Sequence, residues 1–177
     1  MIDNEGYRAN VGIVLTNNKK QVLLAKRFQQ EAWQLPQGGI DEDETDVDAL
    51  YRELSEEIGL SSDNVLILAK TPKWLRYKIP NNFIRRTNDR TCIGQKQVWF
   101  LLKLNSDEDN IRLDTHSEIE FDDWKWVDYW QPIDSVIDFK RPIYEDMLKA
   151  LAPVLFDNQH KIPNQYSRPL KCSAILL

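Results

Sequence analysis

The chain has 177 residues, 42% hydrophobic and 29% charged, the balance of a globular domain rather than of a membrane-embedded or disordered chain. Its 28 acidic and 23 basic side chains give a formal charge of −5, but residues 41–57 hold nine of the acids and one of the bases, leaving 19 against 22 elsewhere. That excludes a uniformly acidic protein and suits a mildly basic body around one acidic patch, a distribution compatible with a polyanionic substrate.

No apolar run approaches the roughly 18 residues of a membrane span, and the opening MIDNEGYRAN has no signal-peptide core, so a cytoplasmic location is expected. Cys92 and Cys172 stand far apart without metal-type spacing and read as reduced thiols. The length fits one domain over residues 1–156, with an extended or disordered tail over 157–177 that includes a lone His160.

In chain order, residues 11–15 and 21–26 are apolar runs separated by a polar turn, the pattern of a β-hairpin, with Arg8 at the mouth of its first strand. The run WQLPQGG follows; Pro36 restricts the residue before it, and the paired glycines admit a turn whose carbonyl is a candidate metal ligand. A helix is expected to open at Thr45, with Asp48 completing a capping box, and to end at Gly59. Val47, Leu50, Tyr51, Leu54 and Ile58 form its apolar stripe, while Glu53, Glu56 and Glu57 cluster on another face. Three carboxylates so spaced repel one another. A solvated acidic face is the bland explanation; a hard divalent cation between them is the functional one. Arg52 is placed to brace a glutamate.

Residues 65–69 read as a short strand. Residues 70–90 hold seven basic side chains, one acid and three aromatics, Trp74, Tyr77 and Phe83, with a strand near 74–78 and a turn at 80–82. Such a segment is either an edge hairpin kept soluble by its charges or a surface for a nucleic acid end. Residues 94–104 form a core strand, and the acids of 118–123 precede an aromatic strand at 124–127. Pro142 opens a final helix whose Tyr144, Leu148, Leu151 and Leu155 recur at helical spacing.

Gly38, Glu44, Arg52-Glu53-Leu54, Glu56-Glu57 and Gly59-Leu60 stand at the spacing of the Nudix box, and the chain resembles the Nudix hydrolases. The runs WQLPQGGI, WLRYKIP, CIGQKQVWFLL, EFDDWKWVDYW and VIDFKRPIY resemble the bacterial RNA 5′-pyrophosphohydrolase subgroup of that family over residues 1–156. The resemblance implies an α/β (α+β) fold, an α/β/α sandwich with a mixed, curved β-sheet between helices. It also implies removal of pyrophosphate from the 5′ end of triphosphorylated RNA, the step that starts messenger decay. Carried over, Gly38, Glu53, Glu56, Glu57 and Glu120 are the expected ligands of Mg²⁺ or Mn²⁺, two or more ions during catalysis. Glu53, Glu57, Glu120 and Arg52 form the expected catalytic set. Either Glu57 or Glu120 serves as general base. Arg8 and Lys140 are expected on the 5′-phosphates, Arg27 and Phe139 around a base, and Tyr77 and Gln95 along the RNA path.

The implied partner is single-stranded RNA with a 5′-tri- or diphosphate, bound by a monomer, with room for a protein activator. Dinucleoside polyphosphates are the alternative substrates, and an inactive Nudix binding module is the alternative of a different class. Two features depart from the pattern: the acidic Asp41-Glu42-Asp43 segment, and the tail, onto which no role carries.

Overall fold

The computed structural model describes residues 2–80, the backbone of 85–86, and residues 91–115, 119–157 and 162–166. Its strands are β1 (Tyr7–Thr16), β2 (Val22–Arg27), β3 (Trp33–Gln34), β4 (Gln37–Gly39), β5 (Val65–Lys70), β6 (Leu75–Lys78), β7 (Arg85–Arg86), β8 (Thr91–Cys92), β9 (Gly94–Leu104) and β10 (Phe121–Val127). Its helices are α1 (Asp46–Ile58), α2 (Pro132–Ser135) and α3 (Arg141–Leu155). The main sheet runs β10-β2-β1-β9-β5, with β3 on β2, β4 on β1 and β6 on β9. β1 and β9 are parallel, pairing Tyr7 with Gly94 through Thr16 with Lys103, while the other pairs in this sheet are antiparallel, so it is mixed as expected.

Side-chain alternation along β1 and β9 makes this sheet the middle layer of a sandwich. Val11, Ile13, Leu15, Val98, Phe100 and Leu102 pack with Leu50, Leu54 and Ile58 of α1 on one face. Val14, Trp99 and Leu101 pack with Ile143, Tyr144, Met147, Leu148 and Leu151 of α3 on the other. The centre is tied by Trp99 edge-on to Tyr144, with centroids 5.4 Å apart, and by Leu35 N–H donating 3.0 Å to the Tyr144 hydroxyl.

α1 starts where Thr45 accepts from Asp48 N–H while the Asp48 carboxylate accepts from Thr45 N–H, the reciprocal cap that the spacing predicts. It ends at Gly59 in the left-handed region, φ 69°, its N–H returning to Leu54 and Ser55 carbonyls. Val47 departs from the expected stripe: it sits in the first turn, 37% exposed, while Ala49 is buried in its place.

Two further differences arise elsewhere in the chain. The short β3 and β4 and the single-turn α2 have too few residues to show a period, and the sequence reading passes over them. Within the tail, expected to be extended or disordered, the described residues include a 3₁₀ turn at Asn164–Tyr166, with Tyr166 packed into the α3-side core. The turn expected at Asn81 and Asn82, and Phe83, Asp89, Arg90, Glu118, His160 and Cys172, lie outside the described residues. Among the described residues, no helix is long and apolar enough to cross a membrane.

Candidate active site

β4 crosses the N-terminal half of β1, pairing Asn10 with Gly39, Val11 with Gly38 and Gly12 with Gln37, and brings the glycine turn over α1. A β-carbon on Gly38 would overlap the Glu53 carboxylate, so only glycine lets that carboxylate lie against the turn. A β-carbon on Gly39 would likewise meet the Arg8 guanidinium. The paired glycines therefore admit one acid from the helix side and one cation from β1. They serve close approach here, and neither has positive φ.

Arg52 organises the acids around that turn. Its Nε and Nη2 each donate 2.8 Å to the two oxygens of Glu44, a bidentate pair. Nη2 also reaches the Gly39 carbonyl at 2.7 Å, and Nη1 reaches Glu53 at 2.7 Å and Glu56 at 3.1 Å. The bracing role expected for Arg52 is thus met by three glutamates together. Hydrogen bonding to Arg52 holds the Glu44 carboxyl below its ordinary range, and Glu44 and Glu53 in turn raise the arginine's proton affinity.

Glu53 and Glu57 are buried, 8% and 7% exposed. Desolvation raises the Glu53 carboxyl, and Arg52 opposes that rise. Glu57 is pushed well above the carboxylate range, first by burial and then by repulsion from Glu53 and Glu120. Gln37 N–H donates 2.8 Å to its Oε2.

Glu120 precedes β10, on the far side of β2 from β1. Its carbonyl accepts from Phe28 N–H at 2.8 Å, and its carboxylate pairs with Arg27 Nη2 at 3.1 Å. A register shift between Phe121 and Asp123 marks this end of the β10–β2 ladder. Lys140, partly buried ahead of α3, donates 3.3 Å to Gln34 Oε1. Burial, then repulsion from Arg27, lowers its ammonium pKa to about 8, with Glu120 and Glu57 opposing. Phe139 tilts against Tyr77, centroids 6.0 Å apart at 33°, and the Tyr77 hydroxyl donates 2.5 Å to Gln95.

The structure thus gathers Gly38, Glu53, Glu56 and Arg52 around one turn, Glu57 and Glu120 within electrostatic reach of each other, and Tyr77 with Gln95 and Phe139. Arg27 meets a carboxylate, Glu120. Strand alternation separates apolar side chains from cations along β6: Leu75 and Tyr77 face the α3-side core, while Arg76 and Lys78 are exposed and Arg76 pairs with Glu5 at 2.5 Å. Lys96 of β9 pairs with Asp3 at 2.9 Å.

Sequence reasoning missed Gln37, Gln34 and Gln97. Gln97 is fully buried and donates 3.2 Å to both Gln37 and Gln95, joining the glycine turn to the Tyr77 side. Its apolar neighbours Val98 and Trp99, in a strand with two buried faces, are the signal that a glutamine there needs partners.

The donor set suits a hard divalent cation: carboxylate and carbonyl oxygens, with buried acids that repel one another. Among the described residues no three His, Cys, Asp or Glu side chains converge as a ready-made cage. Glu53 and Glu56 face Arg52, Glu57 faces Gln37 N–H, and Glu120 faces Arg27, so a cation bound by these carboxylates would have to displace those partners.

The chain is similar to known proteins in sequence and in fold. The NUDIX domain model matches residues 6–149. The chain is 72% identical over 177 residues to an RNA pyrophosphohydrolase of Ruthia magnifica subsp. Calyptogena magnifica, covering 100% of this chain and 99% of that protein. It is 51% identical over 169 residues to an RNA pyrophosphohydrolase of Thioalkalivibrio sulfidiphilus, covering 96% of each. The fold is shared with the E. coli dihydroneopterin triphosphate pyrophosphohydrolase, TM-score 0.63 at 19% identity, covering 81% of this chain and 97% of that one. It is shared also with a NUDIX hydrolase from Nitrosomonas europaea, TM-score 0.60 at 14% identity, covering 88% and 97%. With the family match spanning most of the sheet and both ends of the acidic helix, the chain belongs to the NUDIX hydrolases.

Proposed function

We propose that this chain is an RNA 5′-pyrophosphohydrolase, converting 5′-triphosphorylated or 5′-diphosphorylated RNA to the 5′-monophosphate and so exposing messengers to decay. The observation that carries the reading is one juxtaposition. Arg27 and Lys140 both lie within electrostatic reach of buried Glu57, and Lys140 directly follows Phe139, whose ring tilts against Tyr77. Cations next to stacking surfaces, opening onto clustered carboxylates, suit a phosphorylated nucleic acid end. The names of the relatives at 72% and 51% identity support the same substrate.

Glu53, Glu56, Glu57, Glu120 and the Gly38 carbonyl would hold Mg²⁺ or Mn²⁺, two or more ions, whose chemistry is to neutralise phosphate charge and acidify a water. Arg8, against Gly39 and close enough to Glu53 to oppose the rise of its pKa, meets the 5′-phosphates together with Lys140. Phe139 offers a ring face to a base near the 5′ end, Arg27 closes over that base once released from Glu120, and Tyr77 and Gln95, joined by a hydrogen bond, line the RNA path. Glu57 or Glu120 accepts the proton of the attacking water. Arg52 acts by holding Glu53 and Glu56 in place. The protein acts as a cytoplasmic monomer in this reading.

The test is a side-by-side reaction with Mg²⁺, a short 5′-triphosphorylated RNA and a diadenosine polyphosphate at equal concentration. The proposal expects the RNA to have the higher kcat/KM, with an affinity that falls as salt rises. Turnover of the dinucleotide alone would assign the site to a dinucleoside polyphosphate hydrolase.

A further inference from the structure

Beyond residue 149, where the family match ends, the chain comes back to the elements that present Phe139 and Lys140. Asn164–Tyr166 is a 3₁₀ turn closed by Tyr166 N–H to the Pro163 carbonyl at 2.8 Å. Tyr166 is 4% exposed, and its ring stacks on Trp130 with centroids 5.9 Å apart at 24°. Its hydroxyl donates to Asp134 Oδ2. The other oxygen of that carboxylate accepts from Arg141 Nη2 at 2.8 Å.

Asp134 belongs to α2, and Arg141 is the first residue of α3. Their ion pair therefore spans the ends of the connection 136–140, which carries Phe139 and Lys140. Alone, an exposed pair of this kind fixes little, because ordering two long side chains opposes the weak attraction. Tyr166 changes that. A buried ring holds the hydroxyl in place, the hydroxyl holds Asp134, and Asp134 holds Arg141.

We infer that Tyr166 is a positioning residue for substrate binding, setting through Asp134 and Arg141 where Phe139 and Lys140 meet the phosphorylated end of the substrate. The inference rests on the substrate-binding roles given above to those two residues. It assigns a role in the reaction to a tail that lies outside the family match.

Tyr166→Phe is the informative variant, since it keeps the stack on Trp130 and removes only the hydroxyl. Two measurements on the full chain decide the matter. The first is hydrogen exchange of residues 136–140 without substrate, which is expected to quicken in Tyr166→Phe while the melting temperature stays close to wild type. The second is steady-state kinetics, where KM is expected to rise about 3- to 10-fold with kcat nearly unchanged, as loss of one hydrogen bond implies. In a Lys140→Ala background the same substitution is expected to add little, because the two act on one contact. Unchanged exchange overturns the inference, as does quickened exchange with unchanged KM, or a KM increment that multiplies in full with that of Lys140→Ala. If the wild type hydrolyses diadenosine polyphosphate and not RNA, the RNA reading fails, and the same kinetics on the dinucleotide decide the role of Tyr166.

Discussion

Arg27 and Glu120 form an ion pair, with Nη2 3.1 Å from Oε1, that joins the end of β2 to the start of β10. In the proposed reaction each is wanted elsewhere, Arg27 by a base and Glu120 by a metal or a proton. On that proposal the pair is a resting arrangement that substrate and metal would divide between them. Both side chains are more than one-third exposed, so separating them costs little. Arg27→Ala is expected to raise KM for RNA by about tenfold, the scale of one lost stacking contact, while leaving kcat within about threefold. Initial-rate measurements across RNA concentration check this.

Gly38→Ala is expected to leave the fold intact and damage the chemistry. The added methyl would overlap the Glu53 carboxylate, a side-chain terminus that can swing aside. Displacing a catalytic group by about 1 Å costs on the order of 100-fold in rate, so kcat should fall by that order. Circular dichroism should show an unchanged sheet and helix signal. A variant as active as wild type would mean that Glu53 works from some other position.

With Lys140 on the 5′-phosphates, as proposed above, substrate capture is expected to depend on pH. In the free protein its pKa is lowered to about 8 by burial and by Arg27, with Glu120 and Glu57 opposing. Below that pH it is a cation able to hold a phosphate; above it the charge is lost. The plot of log kcat/KM, which reports the free enzyme, is expected to turn down above about pH 8 in wild type. Lys140→Arg should move the descent to higher pH, because guanidinium does not titrate there. The stability effect has the opposite sign. The folded pKa lies below the ordinary lysine value of 10.5, so the unfolded chain binds the proton more tightly, and Lys140's contribution to stability improves as pH rises from about 8 to 10.5.

Much of this site was legible in the sequence because α1 carries its own local signals. Thr45 with Asp48 starts it, Gly59 ends it, and the spacing of Glu53, Glu56 and Glu57 is a property of one helix. The two central strands of the sheet, over 11–15 and 94–104, were legible from apolar runs alone. What the sequence did not show depends on pairings between distant segments. The parallel ladder of β1 on β9 sets Arg8 beside Gln95, and no local pattern encodes that register. The Arg27–Glu120 pair follows from how β10 meets β2 at an irregular point in the ladder. The basic segment counted as one surface in the sequence, but alternation along β6 turns Arg76 away from Tyr77 and toward Glu5. Tyr166 sits in a stretch without periodicity, and only its burial against Trp130 marks it as part of the fold.

The most direct test of the account is to incubate wild type and Glu53→Gln with Mg²⁺ and a short 5′-triphosphorylated RNA and to resolve the RNA and phosphate products. Loss of even an outer partner of a metal site typically costs about 10- to 100-fold, so replacing a ligand should cost more than about 100-fold in turnover. The account predicts rapid formation of 5′-monophosphorylated RNA by wild type, near-complete loss of that product in Glu53→Gln, and RNA binding retained in the variant. Equal turnover by both proteins would contradict the assignment of Glu53, and RNA left triphosphorylated by wild type would contradict the function.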